Sequence, residues 1–259
     1  MELLVSVVNE EQAEIAATLG VQWVDLKDPT RGPLGMAAPD RQRAVLDRLL
    51  AWPNLRRSVA LGEIVDHDPA QPLPQPQAGF AFAKLGTSFV DRDATTADPE
   101  SSLWWPRWLR WYRDLPASCQ GVLVAYADAA ACAGLSIATA LDLAARYELP
   151  YVLVDTYDKS AGGLFAILGQ RNRLPLLQDW IARAKQQQTR LAIAGQLSHA
   201  QVLQLAAWDA DIVGVRSAVC ECDKRGVPVR AGALCPNRLR NLLEASTNHA
   251  PGAPPQPPV

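Results

Sequence analysis

The sequence predicts an α/β chain folded as a single closed (β/α)8 barrel of the TIM type. Three observations predict it. Short apolar runs recur eight times within residues 1–245, with amphipathic segments between most of them. That order builds a parallel sheet with helical cover. Three of the runs end in charged residues, at the strand ends where barrels of this kind build their active sites. No Gly-x-Gly-x-x-Gly follows the first run, which argues against a doubly wound open sheet, the competing architecture.

Taken in order, Leu3–Val8 reads as the first strand and Glu10–Leu19 as the first helix. Asn9 is its cap, Ile15, Ala16 and Leu19 form its apolar face, and Gly20 closes it. The second strand runs from Val21 into Leu26. Trp23, Asp25 and Lys27 share one face of it, because strand side chains alternate. A lysine and an aspartate buried beside a tryptophan are costly unless paired. Breakers from Asp28 to Gly35 make a loop, and Asp40 caps a helix to about Leu50. Arg57–Glu63 is the third strand. Pro69, Pro72, Pro74 and Pro76 then exclude a regular helix from Asp66–Gln77, so an extended connection replaces the third crossover helix.

Phe80–Gly86 is the fourth strand, with Lys84 near its end. A polar loop, Asp91–Ser102, leads into a helix over 103–112 whose Trp104, Trp108, Trp111 and Tyr112 have helical spacing. That stripe reads first as packing and second as the interface of a homo-oligomer. Gly121–Tyr126 is the fifth strand, and Ser136 opens a helix to about Tyr147. Tyr151–Asp155 is the sixth strand, 158–163 a loop, and Leu174–Lys185 a helix. Leu191–Gly195 is the seventh strand, Ser198 opens a helix to Trp208, Asp211–Val215 is the eighth strand, and Pro236–Glu244 the last helix. Residues 246–259 read as a Pro-rich tail without fixed structure.

Composition narrows the partners. About half of the 259 residues are hydrophobic and the formal charge is −2, which gives no electrostatic reason to expect nucleic acid or an anionic membrane. No apolar run approaches the length that spans a bilayer, and Met1–Val5 lacks the basic region of a secretory signal, so the expected location is cytoplasmic. Five cysteines at wide spacing argue against a disulfide framework. Neither Cys220-Glu221-Cys222 nor the three histidines His67, His199 and His249 has the spacing of a metal site. The expectation is therefore no metal, no cofactor and a small-molecule substrate.

In a barrel the charges acquire a common address. Asp25 and Lys27 end the second strand, Lys84 the fourth and Asp155 the sixth, with Lys159 in the loop that follows. Alternate strands contribute to the same interior layer, so these side chains aim at one point. Crowded ammonium groups in a low-dielectric pocket disfavour one another's charge, and a lysine that sheds its proton attacks carbonyls. Neighbouring carboxylates restrain that effect and can shuttle protons. The set suits iminium chemistry on a small aldehyde or ketone. The last two strands add an anion site: Gly195 and Gln196 leave the seventh, and Gly214, Arg216 and Ser217 leave the eighth. Loops there commonly bind phosphate in this fold, through backbone N–H groups and a guanidinium.

Several segments together resemble a known family. They are Ser6–Ala13, Val24–Pro29 with Gly32–Gly35, Ala83–Gly86, Val154–Lys159 and Gly214–Cys220. They look like the (5-formylfuran-3-yl)methyl phosphate synthases, in order, over residues 1 to about 235. The resemblance implies a barrel lyase that condenses two glyceraldehyde 3-phosphates to 4-(hydroxymethyl)-2-furancarboxaldehyde phosphate, the furan core of methanofuran and its bacterial analogue. By it, Lys27 matches the Schiff-base lysine and Lys84 the general acid/base, while Asp25, Asp155 and Lys159 match supporting charges. Two departures stand out: the Pro-rich 66–77 stretch, and Ser217 where the family pattern expects glycine. The competing readings are a class I aldolase on another sugar phosphate and a non-catalytic barrel that binds a phosphometabolite.

Overall fold

The computed structural model describes residues 1–90, 100, 102–170, 172–223, 229 and 232–247. Eight parallel strands close on themselves in chain order. They are β1 (Glu2–Val7), β2 (Trp23–Leu26), β3 (Arg56–Glu63), β4 (Phe82–Gly86), β5 (Gln120–Tyr126), β6 (Tyr151–Asp155), β7 (Arg190–Ile193) and β8 (Ile212–Val215). Around them lie α1 (Glu10–Thr18), α2 (Pro39–Arg48), α3 (Trp104–Arg113), α4 (Ala129–Cys132) and α5 (Ile137–Arg146). The ring continues with α6 (Gly163–Gln170), α7 (Leu174–Gln186), α8 (His199–Ala207) and α9 (Pro236–Thr247). Closure removes the unpaired strand edges that an open sheet would leave.

The alternation read along each strand sorts two cores. Outward residues such as Val5, Val24, Val59 and Leu85 pack with the helices, while inward Leu4, Trp23, Phe82, Val122, Leu153 and Ile212 fill the barrel. At its N-terminal end the interior is closed by polar groups that satisfy one another. Glu2 accepts from Trp23 Nε1 at 2.7 Å, Arg56 at 2.7 Å and Arg190 at 2.8 Å. Burial pushes the Glu2 carboxyl up, but these three donors outweigh it and hold the group below the usual range. Trp23 in turn lies 4.4 Å from the ring of Phe82.

Local signals set most boundaries. The Asn9 side chain accepts from the Gln12 N–H, and Ser136 and Ser198 cap α5 and α8 in the same way. Asp40 is a correction: Ala38 occupies the cap position of α2 without a side-chain bond, Pro39 supplies the first turn, and Asp40 lies one residue inside. β7 stops at Ile193, so Gly195 belongs to the loop. The helices α4 and α6 were not expected. α6 is a short, apolar segment set beside the barrel mouth, and its Leu164 N–H donates to Gly195 O at 2.8 Å. α9 continues to Thr247, into the expected tail, whose remaining residues 248–259 lie outside the described residues, as does most of the 91–102 loop. No helix among the described residues is long and apolar enough to cross a membrane.

The Pro-rich stretch does replace a crossover helix. After a single turn at Ile64–Asp66 no helix intervenes before β4. Leu73 and Phe80 are buried in the same apolar cluster as Trp104, Trp105, Trp108 and Trp111, so the indoles of α3 are spent inside the chain. α3 also fastens the stretch. Arg107 donates to the carbonyls of Ile64, His67, Asp68 and Gln71 at 2.7–3.4 Å, and Trp111 Nε1 donates to Pro74 O at 2.9 Å. One guanidinium thus satisfies four carbonyls that a helix would have satisfied internally.

Arg107→Met keeps the aliphatic stem and removes the fork. The expected cost is about 1–3 kcal/mol, and limited proteolysis should cut first within 66–77. Unchanged resistance in that stretch would show that the prolines hold it unaided.

Candidate active site

The predicted charges meet at the C-terminal mouth. Parallel register sets Asp25 of β2 opposite Ser6 of β1 and Ser58 of β3, and Ala60 of β3 opposite Lys84 of β4. Asp25 and Lys84 form an ion pair, with only 1 % and 3 % of each residue exposed. Ser6 Oγ donates to the second Asp25 oxygen at 3.3 Å. Lys27 follows β2, held by its N–H to Val7 O at 3.1 Å, and its ammonium lies 3.9 Å from Asp155. Asp155, 2 % exposed, has a closer partner in Lys159 at 2.6 Å and also accepts from the Thr156 N–H at 2.7 Å. Lys159 reaches it from a 3-10 turn whose first residue it is, and also donates to Thr156 Oγ1 at 2.9 Å.

Burial pushes the Lys84 ammonium down; Asp25 opposes this and nearby Lys27 adds to it, leaving Lys84 below the ordinary lysine range. Burial pushes the Asp155 carboxyl up, yet the charges of Lys159 and Lys27 outweigh it and hold Asp155 below the ordinary range. The two carboxylates are therefore not equally shared. Asp25 is engaged by Lys84 and Asp155 by Lys159, while Lys27, 3.9 Å from Asp155, is outside hydrogen-bond reach of it.

A cleft open to solvent lies above this cluster. Lys27, Asp155, Lys159, Gly195, Gln196, Gly214, Arg216 and Ser217 all line it, whereas Asp25 and Lys84 stand behind. The N–H groups of Gly195, Gln196 and Ser217 donate to no acceptor among the described residues. Gly195 adopts φ 111°, and a Cβ there would lie 2.9 Å from Thr156 Cγ2, so only glycine lets this loop approach β6. Gln196 is itself left-handed, at φ 52°. Arg216 departs from the simple expectation of an open anion fork. Its Nη1 donates to Ser6 O at 2.9 Å and Gln12 Oε1 at 3.0 Å, and its Nη2 to Gly232 O at 3.1 Å. It braces β1, α1 and the loop after β8 while adding positive potential beneath the cleft.

Sequence reasoning missed other mouth residues. Ser6 had a signal, since it alternates with Leu4 on β1 and so faces inward. Glu63 ends β3 as Asp155 ends β6, and its carboxylate accepts from Tyr126 OH at 2.6 Å and the Ser88 N–H at 2.9 Å. Gly86 makes room for it, because a Cβ there would lie 2.0 Å from Glu63 Oε2. Burial pushes the Glu63 carboxyl up, and the bonds from Tyr126 and Ser88 only partly offset this.

Comparison with known proteins bears on this geometry. A family model described as 4-HFC-P synthase matches residues 3–238. The (5-formylfuran-3-yl)methyl phosphate synthase of Methanopyrus kandleri is 29% identical over 246 residues, covering 94% of this chain and 98% of that relative. The protein of the same name from Methanosarcina acetivorans is 27% identical, covering 87% and 93%. Among solved structures, phosphoribosyl anthranilate isomerase from Thermus thermophilus aligns at TM-score 0.56 and 16% identity over 95% of this chain and 98% of that one. The 3-hexulose-6-phosphate synthase from Salmonella typhimurium aligns at 0.54 and 18%, over 95% and 100%. At those identities the structural likeness concerns the barrel alone.

Glu63 and Asp155 should leave opposite marks on stability. The raised Glu63 contributes stability that is full below its unfolded pKa of about 4.3 and lost as pH rises through its folded value. The lowered Asp155 contributes stability present above its unfolded pKa of about 3.9 and lost as pH falls. Urea unfolding of wild type and Glu63→Gln at pH 4 and pH 8 should show wild type losing ground to the variant at pH 8. A loss at pH 4 instead would contradict the burial argument.

Proposed function

The chain belongs to the 4-HFC-P synthase family, and from that premise we propose that it condenses two glyceraldehyde 3-phosphates to 4-(hydroxymethyl)-2-furancarboxaldehyde phosphate, releasing phosphate and water. The observation that carries the reading is the unequal sharing of two buried carboxylates among three lysines, which leaves the Lys27 amine least restrained and facing the cleft. Lys84, behind it and paired with Asp25, is held by burial below the ordinary lysine range, as suits a proton carrier that reaches the cleft through one water.

In this account the Lys27 amine adds to the aldehyde carbon of the first triose and water leaves, forming an iminium. Loss of the neighbouring C–H proton to a basic side chain places the electron pair where it expels the phosphate from the third carbon. The cleft's N–H groups and cations stabilise the departing dianion. The second triose isomerises from aldehyde to ketone by proton transfer from C2 to C1, and the terminal carbon of the chain left on Lys27 then forms a C–C bond to its middle carbon, whose carbonyl oxygen becomes a hydroxyl while its phosphate is kept. Ring closure by the free hydroxyl of the second triose and loss of two waters make the furan, and hydrolysis of the iminium frees Lys27. Asp25 and Asp155 hold the ammonium groups in place and limit their mutual repulsion. Such a product fits a role in making the furan of methanofuran or its bacterial analogue.

Incubation with glyceraldehyde 3-phosphate should produce the strong ultraviolet absorbance of a furaldehyde. Lys27→Arg should abolish it, because a guanidinium stays protonated and cannot attack a carbonyl. Full activity in Lys27→Arg would rule out the imine. A new sugar phosphate without furan absorbance would favour an aldolase, and ligand binding with no turnover would favour a binding barrel.

A further inference from the structure

We infer that Asp128, between β5 and α4, is a positioning residue that sets Lys159 against Asp155. The inference rests on the reading of the cleft given above. Asp128 is buried, and both its oxygens are directed at the loop that follows β6 rather than at the first turn of α4. Oδ1 accepts from the Tyr157 N–H at 2.8 Å and Oδ2 from the Asp158 N–H at 2.7 Å. Two consecutive N–H groups held by one carboxylate fix the backbone immediately before Lys159. Asp158 then turns the chain, its Oδ1 accepting from the Ser160 N–H at 2.8 Å and the Ser160 hydroxyl at 2.6 Å. The turn delivers Lys159 to Asp155 and Thr156. Asp128 itself does not line the cleft, so its effect passes through this loop.

Removing the anchor lets the loop drift and takes the Lys159 charge from Asp155. The groups facing Asp155 are Lys159 from its own loop, Lys27 from the loop after β2, Lys84 from β4 and Tyr126 from β5. With Lys159 displaced, less positive charge restrains the carboxyl, and its pKa moves upward.

The test is a double-mutant cycle on furan formation with Asp128→Ala and Lys159→Met. Asp128→Ala should lower kcat about 10- to 100-fold, the scale of an ångström-level misplacement, and should cost little more in the Lys159→Met background. Asp128→Asn keeps one acceptor and should fall between; it also serves if the alanine variant folds poorly. Independently of turnover, ¹³C NMR titration of the Asp155 carboxyl should show an upward shift in Asp128→Asn. Additive losses in the cycle, or an Asp155 titration unchanged in Asp128→Asn, would overturn the inference. If wild type makes no furan, the reading of the cleft fails, while the Asp155 titration still decides the part played by Asp128.

Discussion

The structure depends on a charge mismatch in a place with little water. Three ammonium groups share two carboxylates at the barrel mouth, where Asp25 and Asp155 are all but fully buried. Buried charges persist only when paired and hydrogen-bonded, so each carboxylate selects a tight partner. Asp25 takes Lys84, and Asp155 takes Lys159. Lys27 is left 3.9 Å from a carboxylate already engaged. We propose that this least tightly paired lysine, beside the open cleft, is the one whose amine adds to the carbonyl, and that the other two support it.

The rest of the molecule keeps those five groups in register. The barrel brings strand ends from β2, β4 and β6 to one level, and the Glu2 cluster closes its opposite end. Arg216 ties the end of β1 to α1 and to the loop after β8. Asp128 ties the end of β5 to the loop after β6. Both are charged side chains bonded to backbone, which fixes loops that carry no regular hydrogen-bond ladder. Gly195 and Gly86 act by absence of a side chain, admitting a loop and a carboxylate where a Cβ would collide.

The parts legible in the sequence are those that local pattern dictates. Alternation placed Trp23, Asp25 and Lys27 on one face, and the strand–helix order implied closure, so the convergence of Lys27, Lys84 and Asp155 followed from geometry alone. Capping side chains placed the starts of α1, α5 and α8. The misses are contacts that no local period reports. Glu63 meets Tyr126 across 63 positions, Asp128 meets the Tyr157 N–H across 29, and Arg216 meets Gln12 across 204. Asp40 looked like a cap because such residues often are, yet Pro39 had already begun the helix. α6 escaped because its short apolar run between glycine-containing turns carries neither a strong helical period nor a capping side chain.

Reduction with borohydride in the presence of glyceraldehyde 3-phosphate, followed by peptide mass spectrometry, addresses the mismatch most directly. Reduction fixes an iminium on whichever amine formed it. The account predicts a stable adduct on the peptide that contains Lys27 and none on Lys84 or Lys159. An adduct confined to either of those two, or no adduct under conditions that yield product, would contradict it.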